Sequence, residues 1–132
     1  MRLVYNIVLT PNDPTQRMVP EMASDLEGFT RNLIVSQGWR PLRVNVRADY
    51  WMVSLSAPAS SPPSEIIRTL RSQTSAHLQA RFPTPPGAEA SGEFWAPAHL
   101  LSTQEQPPPP GQIANFIAQT RKAQSQPSAP AA

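Results

Sequence analysis

Two runs of alternating apolar and polar residues stand back to back in the middle of this chain, with a helical-period segment on either side. From Arg40 to Ala48, Leu42, Val44 and Val46 point one way while Arg43, Asn45 and Arg47 point the other. After a short turn near Asp49, Trp51, Val53, Leu55 and Ala57 alternate with Tyr50, Met52, Ser54 and Ser56. Such a pair predicts a hairpin with one apolar and one polar face. Upstream, Met22, Leu26, Phe29 and Leu33 form a helical stripe between about Pro20 and Gln37, widened by Ala23, Thr30 and Ile34. Pro20 suits its first turn and Gly38 its C-terminal cap. Downstream, Ile66, Ile67, Leu70, His77, Leu78 and Phe82 recur at the same period, with Ser61 the expected cap.

Further strands flank this unit. Arg2 to Thr10 carries apolar residues on both faces, and Phe94 to Thr103 reads as a last strand. Pro97 interrupts the latter, which predicts an edge position or a bulge. Pro83 to Gly92 is expected to be a loop. The order is therefore βαββαβ. Right-handed crossovers put both helices on one face of a four-stranded antiparallel sheet, an α+β ferredoxin-like sandwich whose other face is expected to be open. A C-terminal helix follows at about Gln112 to Gln124, with Ile113, Phe116 and Ile117 as its apolar face. Residues 1–124 form one domain, with 107–111 a stiff Pro-rich spacer before the last helix and 125–132 a disordered tail.

Composition narrows the chemistry. With 132 residues the chain can bury a real core, and with no cysteine it can hold neither a disulfide nor a thiolate metal site. No apolar run reaches spanning length and Met1-Arg2 leads straight into a strand, so a soluble cytoplasmic protein without membrane insertion is expected. The net charge of +2 does not announce a nucleic-acid binder, although the basic set is ten Arg and only Lys122. His77 falls on or beside the apolar face of the second helix, and His99 lies near Pro97. Neither has a carboxylate or histidine at ligand spacing, so no metal and no cofactor is expected.

The stretch Asp49-Tyr50-Trp51-Met52-Val53-Ser54-Leu55-Ser56-Ala57-Pro58 resembles the central strand of the single-tyrosine HUH transposases, small enzymes that move insertion sequences as single-stranded DNA. Ser61-Pro62-Pro63-Ser64-Glu65 resembles that family's Ser-Pro-rich helix start, Phe94-Trp95 its Leu-Trp segment, and Gln112 to Thr120 the helix bearing its nucleophile. In the family a histidine pair on the strand and a Gln on the helix hold a divalent cation, and a tyrosine attacks the scissile phosphate. Carried over, the histidine slots hold Tyr50 and Met52, the nucleophile slot Phe116 and the Gln slot Thr120. A register one residue earlier puts Asn115 and Gln119 there instead. A neutral phenol is a poor ligand, a thioether suits soft metals, and a phenyl ring has no nucleophile. The resemblance thus implies a transposase-like scaffold that has lost its endonuclease chemistry.

For binding, strand parity puts Tyr50 and Met52 on the expected open face beside Arg43, Asn45 and Arg47. Such a face suits stacking of a base and pairing of phosphates. Arg68 and Arg71, with Ser72 and Ser75, form a second polar stripe on the second helix. Binding of hairpin or single-stranded DNA is the expected role, and the resemblance adds a homodimer that joins sheets and completes each site with the partner's terminal helix. The rival reading is a protein-interaction or structural subunit of a larger assembly, because Met, Tyr and Arg are enriched at interfaces. A ferredoxin-like RNA-binding domain lacks support, since the glycine- and aromatic-rich strand motifs of such domains are missing.

Overall fold

The computed structural model describes residues 2–12, 17–82, 94–103, 106 and 108–125. Its elements are β1 (Arg2–Leu9), α1 (Pro20–Ser36), β2 (Arg40–Val46), β3 (Trp51–Pro58), α2 (Pro63–Arg81), β4 (Leu100–Ser102) and α3 (Pro110–Ser125). The strands form one antiparallel sheet in the order β2-β3-β1-β4. This is the expected α+β arrangement with three helices. The loop expected over Pro83 to Gly92 lies outside the described residues, as does the expected tail apart from Ser125.

Register sorts the side chains onto two faces. Tyr5, Ile7 and Leu9 stand opposite Leu55, Val53 and Trp51, and Val44 stands opposite Val53 from the other side. These residues pack with Met22, Leu26 and Ile34 of α1 and with Ile66, Leu70 and Leu78 of α2, so both crossover helices share one core. The stop of α1 shows how sequence sets this layer. Gly38 takes φ +81, Trp39 N–H donates to the Ile34 carbonyl at 3.1 Å, and Gly38 N–H donates to that of Val35 at 3.0 Å. That pattern satisfies orphan carbonyls and turns Trp39 back into the core.

Three expectations need correction. Ser61 does not cap α2: Pro62 occupies the cap position with no side-chain bond, because the helix starts one residue later. The last strand is split: Trp95 bridges Pro11 singly, and pairing resumes only at Leu100. Pro97 has no N–H to offer a ladder, and Trp95 is pulled toward α2, where its indole N–H donates to Thr74 Oγ1 at 2.9 Å. Finally, α3 begins at Pro110, within the stretch expected as spacer. The first helical turn needs no N–H from a proline, and the Pro109 carbonyl accepts from Gln112 and Ile113 N–H at 3.0 and 3.2 Å.

No helix among the described residues is long and apolar enough to cross a membrane.

Candidate functional site

The second sheet face was expected to be open, and it is not. β3 is buried along both faces from Trp51 to Ala57. On the face away from α1 and α2, Val8 stands opposite Met52 and Leu100. Val8, Met52 and Ile113 form a buried cluster, with Tyr50, Leu100, Phe116 and Ile117 packed against it. The apolar stripe of α3 therefore lies on the sheet and covers Met52, which is only 7% exposed. A helix with an apolar stripe must bury it, and this face offered the partly apolar surface to do so.

Polar contacts lock α3 at its far end. Arg121 donates to the Pro11 carbonyl at 2.8 Å and to Thr10 Oγ1 at 2.9 Å. Thr10 Oγ1 in turn lies 2.6 Å from the Asp49 carbonyl, which ties the end of β1 to the β2–β3 turn. Beside the cluster, Ser54 Oγ donates to Asn6 Oδ1 at 2.5 Å, and Asn6 Nδ2 donates to the Gln106 carbonyl at 3.3 Å. Those buried polar groups have partners within the chain.

Tyr50, Met52 and Phe116, three separate positions in sequence, thus meet in one seam between β3 and α3. Thr120 is buried on the same helix, where its hydroxyl donates to the Phe116 carbonyl at 2.9 Å. A divalent cation needs hard oxygen or imidazole donors held together. A half-buried phenol, a buried thioether and a hydroxyl bonded to its own helix do not fit one. Among the described residues no three His, Cys, Asp or Glu side chains gather in a way that fits a metal ion.

Basic side chains lie elsewhere. Arg43 is exposed on β2, an edge strand, Arg47 is exposed just past its end, and Asn45 between them is half-buried. The pairing of β2 with β3 slips between Pro41 and Arg43. Leu42, expected on the core face with Val44, is left 43% exposed by that irregularity. Arg43 stands opposite Ser54 and Asn45 opposite Met52, so these two belong to the α3-covered face while their ends reach solvent at its margin.

At the sheet's other edge, Arg68 and Arg71 of α2 face His99 across a cleft of about 790 Å³. Arg71 donates to the Ala96 carbonyl at 2.8 Å and to that of Pro97 at 3.3 Å, which holds its guanidinium at the rim. Burial, and then the charge of Arg71, lower the pKa of His99 below its ordinary 6.5. Sequence reasoning found both arginines but not the cleft. The available signal was Pro97, which diverts the chain from β4 and opens a space beside α2.

His77 takes no part in either region. Its Nε2 lies 2.6 Å from Asp25 Oδ2, and its ring stacks on Phe29 at 3.9 Å between centroids. Arg81 shares the same carboxylate at 2.8 Å, forming a clasp between α1 and α2. Asp25 is 52 residues from His77, so spacing along the chain did not reveal it.

Comparison with known proteins bears on these arrangements. The model of the family described as IS200-like transposase matches residues 1–120. A solved structure of a candidate transposase from Deinococcus radiodurans R1 superposes with a TM-score of 0.73 at 20% identity, covering 94% of this chain and 92% of that one. At that identity the likeness speaks for the fold. No curated protein matches the chain.

Proposed function

Because the chain belongs to the IS200-like transposase family, we propose that it is a transposase-like protein that binds hairpin or single-stranded DNA without cutting it. The observation that carries this reading is the β3–α3 seam. Tyr50, Met52 and Phe116 pack with Val8 and Ile113, and the Phe116 ring of α3 offers no hydroxyl to attack a scissile phosphate, while the Met52 thioether suits no hard cation. Packing of this kind makes α3 a structural cover rather than a carrier of the nucleophile.

Binding is assigned to the β2 margin. Arg43 and Arg47 are exposed there, with Asn45 and the half-buried ring of Tyr50 beside them. Guanidinium forks pair with phosphate, and the amide and the ring suit a base edge or face. Met52 is withdrawn under α3 and takes no part. Among the described residues β2 and β4 are the outermost strands of the sheet, which supports a homodimer that joins sheets, and a cytoplasmic location accords with this role.

Fluorescence anisotropy with a labelled hairpin and a labelled single strand tests the proposal. Replacing Arg43 and Arg47 together by Ala should weaken binding about tenfold at moderate salt. It should also flatten the slope of log K against log salt by roughly 1 to 2. Unchanged binding would remove the β2 margin from the account. Absence of binding at physiological salt would favour the second reading, a protein-interaction subunit. The observation behind that reading is Leu42, an exposed apolar side chain set between Arg40 and Arg43 on the same edge strand.

A further inference from the structure

β2 and the residue just past it carry three arginines whose spacing in sequence does not put them on one face. Arg43 and Arg47 have the same parity and share a face, whereas Arg40 has the parity of Val44 and in a regular strand would point with it toward the core. The irregularity at Leu42 reverses that. Arg40 stands opposite Ser56 and Arg43 opposite Ser54, so the extra residue on β2 is taken up between them and both arginines belong to the face of Ser54 and Ser56. Asn45 follows opposite Met52. Arg47 N–H donates to the Tyr50 carbonyl at 2.8 Å, which carries the ladder one rung beyond Val46 and Trp51 and sets Arg47 opposite Tyr50. All three arginines are exposed. Same-face residues of a strand recur about every 6.6 Å, so Arg40, Arg43, Asn45 and Arg47 form a row about 20 Å long down the margin of the sheet.

We propose that this row holds phosphates of an unpaired, extended DNA strand, with Arg40 as its third cation and the Leu42 bulge as the device that brings Arg40 into line. The proposal rests on the reading of the β2 margin as a DNA-binding surface and deepens it by naming the form of DNA and a further residue. Bulges at sheet edges re-aim side chains, and here the effect is to turn a charge from the core face onto the face of two others. Guanidinium forks match phosphate oxygens, and a net charge of only +2 over the chain makes three arginines on one margin a local concentration of positive potential. A straight row suits a backbone that runs extended along it. At the Arg47 end stands the half-buried ring of Tyr50, and a ring can stack only on a base that is not paired, which favours a single strand over a hairpin stem.

Fluorescence anisotropy over a range of salt, with a labelled oligodeoxythymidylate and a blunt duplex of the same length, tests this on the full chain. Arg40→Ala should weaken strand binding by about threefold to tenfold and flatten the slope of log K against log salt by about 0.7, the single-strand share of one phosphate. Arg31→Ala removes the same charge from α1, on the other side of the sheet, and should leave both quantities nearly unchanged. The urea midpoint of Arg40→Ala should match that of the parent chain, because the side chain is exposed. If the paired Arg43→Ala and Arg47→Ala variant weakens binding while Arg40→Ala acts no more than Arg31→Ala, the β2 margin stands and the row is overturned. If neither the pair nor Arg40→Ala changes binding, both fall together. A duplex bound as tightly as the strand, with the same response to Arg40→Ala, would overturn the assignment to an unpaired strand.

Discussion

The β3–α3 seam and the α2–β4 cleft are each formed where a helix lies along a strand, and they have opposite contents. In the seam, Met52 and Val8 meet Ile113 of the covering helix, with Tyr50, Phe116 and Ile117 packed around them. In the cleft, Arg68, Arg71 and His99 surround about 790 Å³. The seam holds Tyr50, Met52 and Phe116, the slots that the sequence resemblance aligns with the family's metal ligands and nucleophile. What separates the two is side-chain chemistry at a few positions. Apolar side chains on both sides let α3 pack on the sheet, whereas Pro97, Arg68, Arg71 and His99 line the other gap.

The largest effect should come from forcing charge into the seam. Met52→Lys puts an ammonium among Val8, Ile113 and Phe116, and should cost roughly 3 kcal/mol or more of unfolding free energy, or release α3. Urea denaturation measures the loss, and hydrogen exchange across Pro110–Ser125 shows any release. The matching change in the cleft, Arg68→Glu, should stay within about 0.5 kcal/mol because the side chain is exposed. Similar losses at both positions would erase the contrast.

A truncation within the seam is milder. Phe116→Ala should cost about 2 kcal/mol, below the usual range for a fully buried ring because this one is only half-buried. Arg121→Ala, which removes the donors to Pro11 and Thr10, should cost about 1 kcal/mol, discounted for partial exposure. If α3 docks as described, the two losses should be less than additive once the helix has left the sheet.

The smallest effect concerns pH. His99 has a folded pKa below its ordinary 6.5, so the unfolded chain binds its proton more readily. This group then makes stability fall as pH drops through and below 6.5, and contributes nothing above it. His99→Asn should flatten the pH dependence of the urea midpoint between about pH 5 and 7. A steeper dependence in the variant would contradict the assigned direction.

Much of this fold was legible in the sequence because period and punctuation are local. The alternation around Val44 and Val53 set the hairpin, and the Gly38 stop set the end of α1. The covered sheet face is less legible, although its parts stand in the sequence. Val8 and Met52 are apolar on the face assigned to solvent, and Ile113, Phe116 and Ile117 form a stripe with no assigned partner. Pairing the two would have closed the face. The slip beside Leu42 leaves no comparable signal, since it depends on how β2 meets β3. The Asp25–His77–Arg81 clasp needs two helices side by side before it exists. For the candidate site, the slots aligned by the resemblance are readable one residue at a time, whereas the cleft is a shape and depends on where Pro97 diverts the chain.

The central claim is the proposal that Tyr50, Met52 and Phe116, the slots aligned with the family's metal ligands and nucleophile, are packed shut and cut no DNA. A labelled single strand or hairpin, incubated with the protein and magnesium or manganese under conditions where anisotropy shows it bound, is run on a denaturing gel. The account predicts uncut DNA and no label travelling with the protein. A covalent protein–DNA band that survives denaturation, or a shortened strand that appears only with the metal, would contradict it.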